Sequence, residues 1–421
     1  MIYEAGKTRI SIREQFNHGL DKLVCPEVHL FQRTQSTYLI FAYVGLLLAV
    51  LLAISLVTFL GLSVWVMAGL TLTAVLTIFG LLMVTKIITG EENMTYYHYE
   101  IAVIISAAIL LKLLHEPVLP YLGITLIGIG LFLACGRLGC LMVGCCHGRP
   151  HQWGVCYREE HAAAGFPHYF VGVRLFPIQL VESIWVFGVV LGGIVLILTG
   201  RPPGEALSWY IVAYDIGRFC FEFVRGDAAR PYRWGFSEAQ WTSLLLMCAV
   251  VWAELSGVLP LHPWHVGATA GMVIIMITLY LSRRFYRTTK HELLHPHHIR
   301  DVAEALDLLF HRSEESLSTS DETSASEAIQ VGCTSLGIRI SASTIKHQVG
   351  DVYHYTLSSQ NDPLTPETAS ILSRLILQLK PNSGSYELLE GNQSIFHLLL
   401  YPSPGKSYIT GLGQVSANPW G

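Results

Sequence analysis

Charge is scarce in this chain. Of its 421 residues only 14% are Asp, Glu, Lys or Arg, whereas 52% are hydrophobic, and the mean hydropathy is +0.45. That balance excludes an ordinary water-soluble domain and is most simply explained by a lipid-bathed core. The formal net charge of −4 is small and says little about partners; nucleic acid is not an expected one. The first 36 residues lack a short apolar core beside a small-residue cleavage site. They are polar and mixed, with Lys7, Arg9, Arg13, Lys22 and Arg33, so the first spanning helix is expected to act as its own insertion signal. No internal repeat is evident.

Long apolar runs are what the sequence does have. A bilayer core of about 30 Å takes about 20 helical residues to cross, and runs of that kind cover 37–60, 62–85, 118–142, 178–199, 240–258 and 267–285. Two weaker runs, 99–114 and 206–224, carry charges. The expected fold is an all-α polytopic membrane protein of about 7–8 transmembrane helices with a small C-terminal α+β domain. Its parts are an N-terminal arm (1–36), a transmembrane domain (37–290), a helix and linker (291–327) and the α+β domain (328–421).

The tail is read from local pattern. Val302, Leu306 and Leu309 form a helical stripe within Ile299–His311, and Ser313–Glu327 is too rich in Ser, Thr, Glu and Asp to fold alone. Alternation at Leu336–Ile340 and Tyr353–Leu357 suits half-buried strands. Thr365-Pro366-Glu367 suits a cap and first turn for a helix through Leu379, and a last strand is expected over Ile395–Tyr401. The tail shows no catalytic constellation, so binding or regulation is its expected role.

Ionisable residues in or beside spanning helices are costly and usually face a protein interior or a watery cavity. Four such places stand out: Tyr96–Glu100, Gly136–Gly139, Gln179 with Glu182, and Arg218, Glu222 and Arg225. Arg218 and Glu222 are four apart and share one helix face. Gln179 and Glu182 share another, just after Pro177. With eight spans and short loops, all four clusters reach one membrane surface. Arginine forks match phosphate oxygens bidentately, and glycines beside Arg137 let backbone approach a ligand, so a glycerophospholipid headgroup is the natural guest. The plainer alternative is that Arg218 and Glu222 merely neutralise each other and lock two helices together.

Four of the nine cysteines, Cys140, Cys145, Cys146 and Cys156, fall within seventeen residues. Three readings stay open. Cys145, Cys146, His147 and Cys156 can bind a soft metal, although the spacing fits no standard zinc pattern; Cys156 can pair with Cys145 or Cys146 in a disulfide; or small soft residues fill a tight turn.

The run Gly136-Arg137-Leu138-Gly139-Cys140-Leu141-Met142-Val143-Gly144-Cys145-Cys146-His147-Gly148-Arg149-Pro150 resembles the signature of the prolipoprotein diacylglyceryl transferase family. Pro177–Glu182, Gly217–Arg225, Ser237 and Gln240 resemble its later motifs in the same order, and the likeness covers roughly 30–260. The resemblance implies transfer of the diacylglyceryl group of phosphatidylglycerol to the thiol of a lipoprotein precursor, with release of glycerol phosphate, in the bacterial cytoplasmic (inner) membrane. It implies catalytic roles for Arg137, Arg218, Glu222 and His98, and substrate contacts from Tyr38, Gly139, Cys140, Gly144, Gly148, Gln179, Glu182 and Arg225. No cofactor or metal is assigned to the reaction. Cys140 and Val143 stand where many members have asparagine, Cys145 where they have glutamate, and Tyr99 and Glu100 where glycines follow the family histidine.

On this reading Arg137 and Arg218 clamp the departing phosphate, Glu222 orients Arg218, and His98 is the expected base, with an ordinary histidine pKa near ~6.5. A non-catalytic lipid sensor or scaffold is the alternative, and a transporter the weaker third. One pattern opposes the family plan. The catalytic side collects most lysines and arginines, leaving only Lys112 and Arg201 on the other, which by the positive-inside rule makes that side cytoplasmic, whereas the family's catalytic face is extracytoplasmic.

Overall fold

A computed structural model describes residues 11–30, 33–90, 96–228, 230–285, 289–318, 331–345, 352–380 and 385–401. Its helices are α1 (Ile12–Leu23), α2 (Thr37–Phe59), α3 (Val64–Thr89), α4 (Tyr96–Leu113), α5 (Val118–Val143), α6 (Glu159–Ala163), α7 (Ile178–Leu198), α8 (Glu205–Phe221), α9 (Glu238–Leu255), α10 (Pro263–Phe285), α11 (Thr289–Leu293), α12 (Pro296–Ser318) and α13 (Pro366–Leu379). Short hairpins pair β1 (Glu27–Leu30) with β2 (Arg33–Ser36), β3 (Pro150–Cys156) with β4 (Arg174–Leu175) and β5 (Tyr232–Arg233) with β6 (Phe236–Ser237).

Among the described residues five helices, α2, α3, α5, α7 and α10, are long and apolar enough to cross a bilayer. α5 is the central one: its residues from Tyr121 to Gly128 are all buried, and it packs on α2, α4, α7 and α8. Small residues let the backbones close up. A Cβ at Gly45 of α2 would lie 2.7 Å from Cys135 Cβ, and one at Gly130 would lie 2.4 Å from the Tyr210 ring. Hydrogen bonds then fix the register, since Ser183 Oγ donates to the Ala134 carbonyl (2.8 Å) and Trp185 Nε1 to the Ala213 carbonyl (3.1 Å). Both tie α7 to its neighbours within a turn of Glu182.

Beyond α10 lies an antiparallel five-stranded sheet of β7 (Val331–Cys333), β8 (Ile338–Ile345), β9 (Val352–Ser359), β10 (Tyr386–Glu390) and β11 (Phe396–Leu400), in the order β10-β11-β9-β8-β7. Alternation sets its inner face: Ile338 and Ile340 are buried while Arg339 between them is exposed, and Phe396, Leu398 and Leu400 repeat the pattern. Thr365 caps α13 through Thr368 N–H, as its sequence anticipates. One expectation needs correction. The stretch from Ser313 was expected to be linker, yet α12 continues to Ser318, because the amphipathic helix already anchored at Val302, Leu306 and Leu309 propagates cheaply once nucleated. The remainder of that linker lies outside the described residues.

A single buried apolar cluster joins three distant pieces of chain. It holds Leu20 of α1 and Val24 at its end, Val155, Tyr157, Phe166, Phe170 and Leu175 of the α5–α7 connection, and Val302, Leu306, Leu375 and Leu398 of the tail. Polar contacts reinforce it: Asp21 pairs with Arg174 (2.8 Å), and Asn17 Oδ1 accepts from Gly154 N–H (2.9 Å). Leu306→Ala, at a fully buried position, should cost about 2–5 kcal/mol. Chemical denaturation should show it as a lower midpoint; an unchanged midpoint would mean that the helix does not bind the tail to this face.

Candidate functional site

The site forms where α5 and α8 end and α7 begins. Gly144 caps α5 in the left-handed region (φ +85°), and a Cβ there would lie 2.6 Å from the Phe166 ring. Cys146 is also left-handed (φ +53°), a conformation that costs a non-glycine residue about 1 kcal/mol and gathers at functional sites. The chain then runs beside the end of α8: Arg149 N–H donates to the Val224 carbonyl (3.1 Å), and Gly226 N–H to the His147 carbonyl (2.9 Å). Gly148 is required, because a Cβ there would sit 2.5 Å from the Phe176 carbonyl oxygen.

Three buried arginines and the half-buried Arg230 meet three carboxylates at this seam. Arg137 Nη2 lies 3.1 Å from Glu182 Oε1. Glu222 pairs with both Arg218 and Arg230, and Arg225 Nη1 approaches it to 3.8 Å. Asp227 takes Arg225 Nε (3.0 Å) and Arg230 Nε (3.1 Å). Arg137, Arg218, Arg225, Glu182 and Glu222 are each at most 7% exposed. Tyr214 of α8 lies within electrostatic reach of Arg137, Arg218, Glu182 and Glu100, so it stands between the two ends of the network. Arg137 Nε makes no hydrogen bond among the described residues. Such an orphaned buried donor costs about 1–3 kcal/mol and asks for an acceptor.

The sequence-expected residues divide as follows. Arg137, Glu182, Arg218, Glu222 and Arg225 come together. Gln179 donates its Nε2 to the Cys145 carbonyl (2.8 Å), holding the turn after α5. Tyr38 packs on Gly139, where a Cβ would lie 3.1 Å from its ring, and sits beside Cys140, Cys145 and Cys146. His98 is placed elsewhere: it stands at the exposed start of α4, with Nε2 3.0 Å from Glu238 Oε1. Arg230 and Asp227 were not singled out from sequence, because they follow α8 in a polar turn that reads as ordinary loop.

A family model for prolipoprotein diacylglyceryl transferase matches residues 30–255. The chain belongs to that family. Named relatives are distant. Phosphatidylglycerol–prolipoprotein diacylglyceryl transferase 2 of Clostridium perfringens is 34% identical over 105 residues, 24% of this chain and 38% of the relative. The Clostridium tetani transferase is 29% identical over 125 residues, 29% of this chain and 48% of its own length. That of Dehalococcoides mccartyi strain 195 is 28% identical over 164 residues, 39% and 61% respectively. The chain thus spans about half the length of the relatives it matches. The whole buried arginine network falls inside the family region, and the C-terminal sheet falls outside it.

A cavity of about 320 Å³ opens beside the network. Its lining joins Glu222, Arg149 and Gln240 of the family region to Arg283, Lys290, His291 and His295 of the following chain. Arg137 and Arg218 are not among its lining residues. Burial first, then the positive neighbours His297, His291, Arg149 and Arg230, push His295 down to about 4. Burial also lowers Arg230, to about 10.

Two outcomes follow from this electrostatics. Glu222→Gln leaves the cations at Arg218 and Arg230 without their shared anion, so it should destabilise the protein by about 3–5 kcal/mol, read as a lower thermal midpoint in detergent. No change would remove Glu222 from the centre of the network. For His295 the folded pKa lies below the unfolded value of about 6.5. Its contribution is therefore complete above that pH and is lost as pH falls from about 6.5 to about 4. Amide exchange around 289–299 should rise over that window, and His295→Gln should flatten the rise; a flat profile in the unsubstituted protein would contradict the assignment.

Proposed function

We propose that this protein is a phospholipid-dependent transferase that moves the diacylglyceryl group of phosphatidylglycerol to a cysteine thiol of a lipoprotein precursor or a related acceptor. The observation that carries the reading is the largely buried network of four arginines against three carboxylates, on the family's own segments, with an unsatisfied Arg137 Nε. An excess guanidinium held away from water favours an anionic guest, and a lipid phosphate is the anion available at that depth.

In the reaction, Arg137 and Arg218 hold the phosphate as its bond to the glycerol carbon breaks, because preorganised donors are worth most where charge develops, about 3–4 kcal/mol each. Glu182 and Glu222 keep the two forks aimed and restrain them when the anion leaves. Gln179, Gly139 and Gly144 shape the turn around the lipid. The division that goes with this reading is an arm over 1–36, a transmembrane domain over 37–290, a helix and linker over 291–327 and a small regulatory α+β domain over 328–421.

Eight spans, α2 to α5 and α7 to α10, fit the packing. The arm, the α5–α7 connection and the tail share one apolar cluster, so an even number of crossings must separate each from the next. Before the α5–α7 connection, parity adds α4 to α2, α3 and α5; after it, α8 and α9 are counted with α7 and α10 because their buried charges, Arg218 and Glu254, pair with protein rather than lipid. An impermeant thiol reagent applied to sealed vesicles should therefore label the exposed Cys25 and Cys333 alike, both or neither, as read by peptide mass mapping. Labelling of one alone would break the eight-span reading.

The function is tested with purified protein, labelled phosphatidylglycerol and a lipobox peptide. Glycerol phosphate should appear with lipidated peptide, and Arg137→Ala or Arg218→Ala, still folded, should lose at least about 100-fold in rate. Full activity in either variant would overturn the scheme; tight lipid binding without turnover would make the protein a sensor.

A further inference from the structure

Three thiols stand together beside the arginine network. The Sγ atoms of Cys140, Cys145 and Cys146 all lie within 4.8 Å of one another. The chain goes to some trouble to bring them there. Cys140 is on the last turn of α5 and buried, and the left-handed residues Gly144 and Cys146 fold the next two cysteines back over it. Gln179 fixes the Cys145 carbonyl and Tyr38 lies against the group. His147 is not a member of this cluster of ligand atoms; its Nδ1 lies 2.8 Å from the Gly148 carbonyl. Cys156 also lies outside, its N–H held by Asp21.

We infer that Cys140, Cys145 and Cys146 form a three-thiolate site for a zinc ion whose fourth position receives the acceptor thiol of the transfer reaction. Zinc–sulfur bonds of about 2.3 Å in a tetrahedron separate the sulfurs by about 3.8 Å, so the triangle needs to close by at most about 1 Å per edge. Three protein ligands with one open position is the arrangement of catalytic rather than structural zinc. Cys145 is exposed, which leaves that position approachable. Three thiolates on one divalent ion carry a net negative charge, and Arg137 and Arg225 both lie within electrostatic reach of Cys146 to offset it.

The inference rests on the transferase reading and deepens it. A thiol that coordinates a metal is deprotonated outright, which prepares the acceptor without a histidine base; His98 is occupied with Glu238 at the start of α4. The acceptor thiol gives its proton to water as its sulfur binds zinc. That sulfur then attacks the glycerol carbon esterified to phosphate: the S–C bond forms, the C–O bond breaks, and the electron pair leaves on the phosphate as glycerol phosphate, held by Arg137 and Arg218. No electrons are gained or lost overall.

The test uses the full chain in detergent. After zinc exposure and desalting, metal analysis should find one zinc per chain, and cobalt substitution should give thiolate-to-cobalt absorption that shifts when a lipobox peptide is added, but not when its cysteine is replaced by serine. Cys145→Ser and Cys146→Ser should lose the stoichiometric metal, the shift and lipid transfer, while Cys333→Ser keeps all three. Phosphatidylglycerol binding should survive chelation while transfer is lost, and returning zinc should restore it. No stoichiometric metal, a disulfide within the trio, full transfer by the chelated protein, or metal unaffected by Cys145→Ser would each overturn the inference. A peptide-dependent cobalt shift in a protein that never releases glycerol phosphate would keep the thiol-binding zinc and refute the transferase reading instead.

Discussion

Withdrawing a guanidinium from water costs several kcal/mol unless it is met by an anion with good geometry, and this protein buries three of them, with a fourth half-buried, in one network. Arg137, Arg218, Arg225 and Arg230 share Glu182, Glu222 and Asp227. Much of the surrounding architecture exists to hold that arrangement. Ser183 and Trp185 tie α7 to α5 and α8 so that Glu182 reaches Arg137, and the strand-like contact between Gly148 and Arg225 closes the seam from above. The small residues of α5 let its neighbours approach closely enough for these contacts to form.

The tail is joined to the same face. α12 shares its apolar cluster with the arm and the α5–α7 connection, and the segment around α11 supplies Lys290, His291 and His295 to a cavity floored by Glu222. A change at that cavity therefore acts on the carboxylate that Arg218 and Arg230 depend on. Partial burial keeps His295 neutral at ordinary pH, which spares this crowded basic region one more positive charge.

Much of this was legible in the sequence because helical spacing is so regular. Arg218 and Glu222 four apart, and Gln179 and Glu182 three apart, could be placed on shared faces before any coordinates, and Thr365-Pro366 marked the start of α13 to the residue. Arg230 and Asp227 could not be read, since a turn has no period and only tertiary contact shows which of its charges are buried. For the same reason His98 could be assigned by motif order but not by position: its partner, Glu238, lies 140 residues away. The extension of α12 into an acidic, serine-rich stretch was hidden because composition reports what a segment can do alone, not what a helix already docked on a sheet carries with it.

On the proposed function, Arg137 of α5 and Arg218 of α8 form one preformed clamp for a lipid phosphate. An experimental density map of the protein in phosphatidylglycerol nanodiscs would show it: headgroup density is expected within hydrogen-bond distance of both Arg137 and Arg218, with Arg137 Nε satisfied. A map in which both remain sealed against Glu182 and Glu222, with ordered lipid only elsewhere, would contradict it.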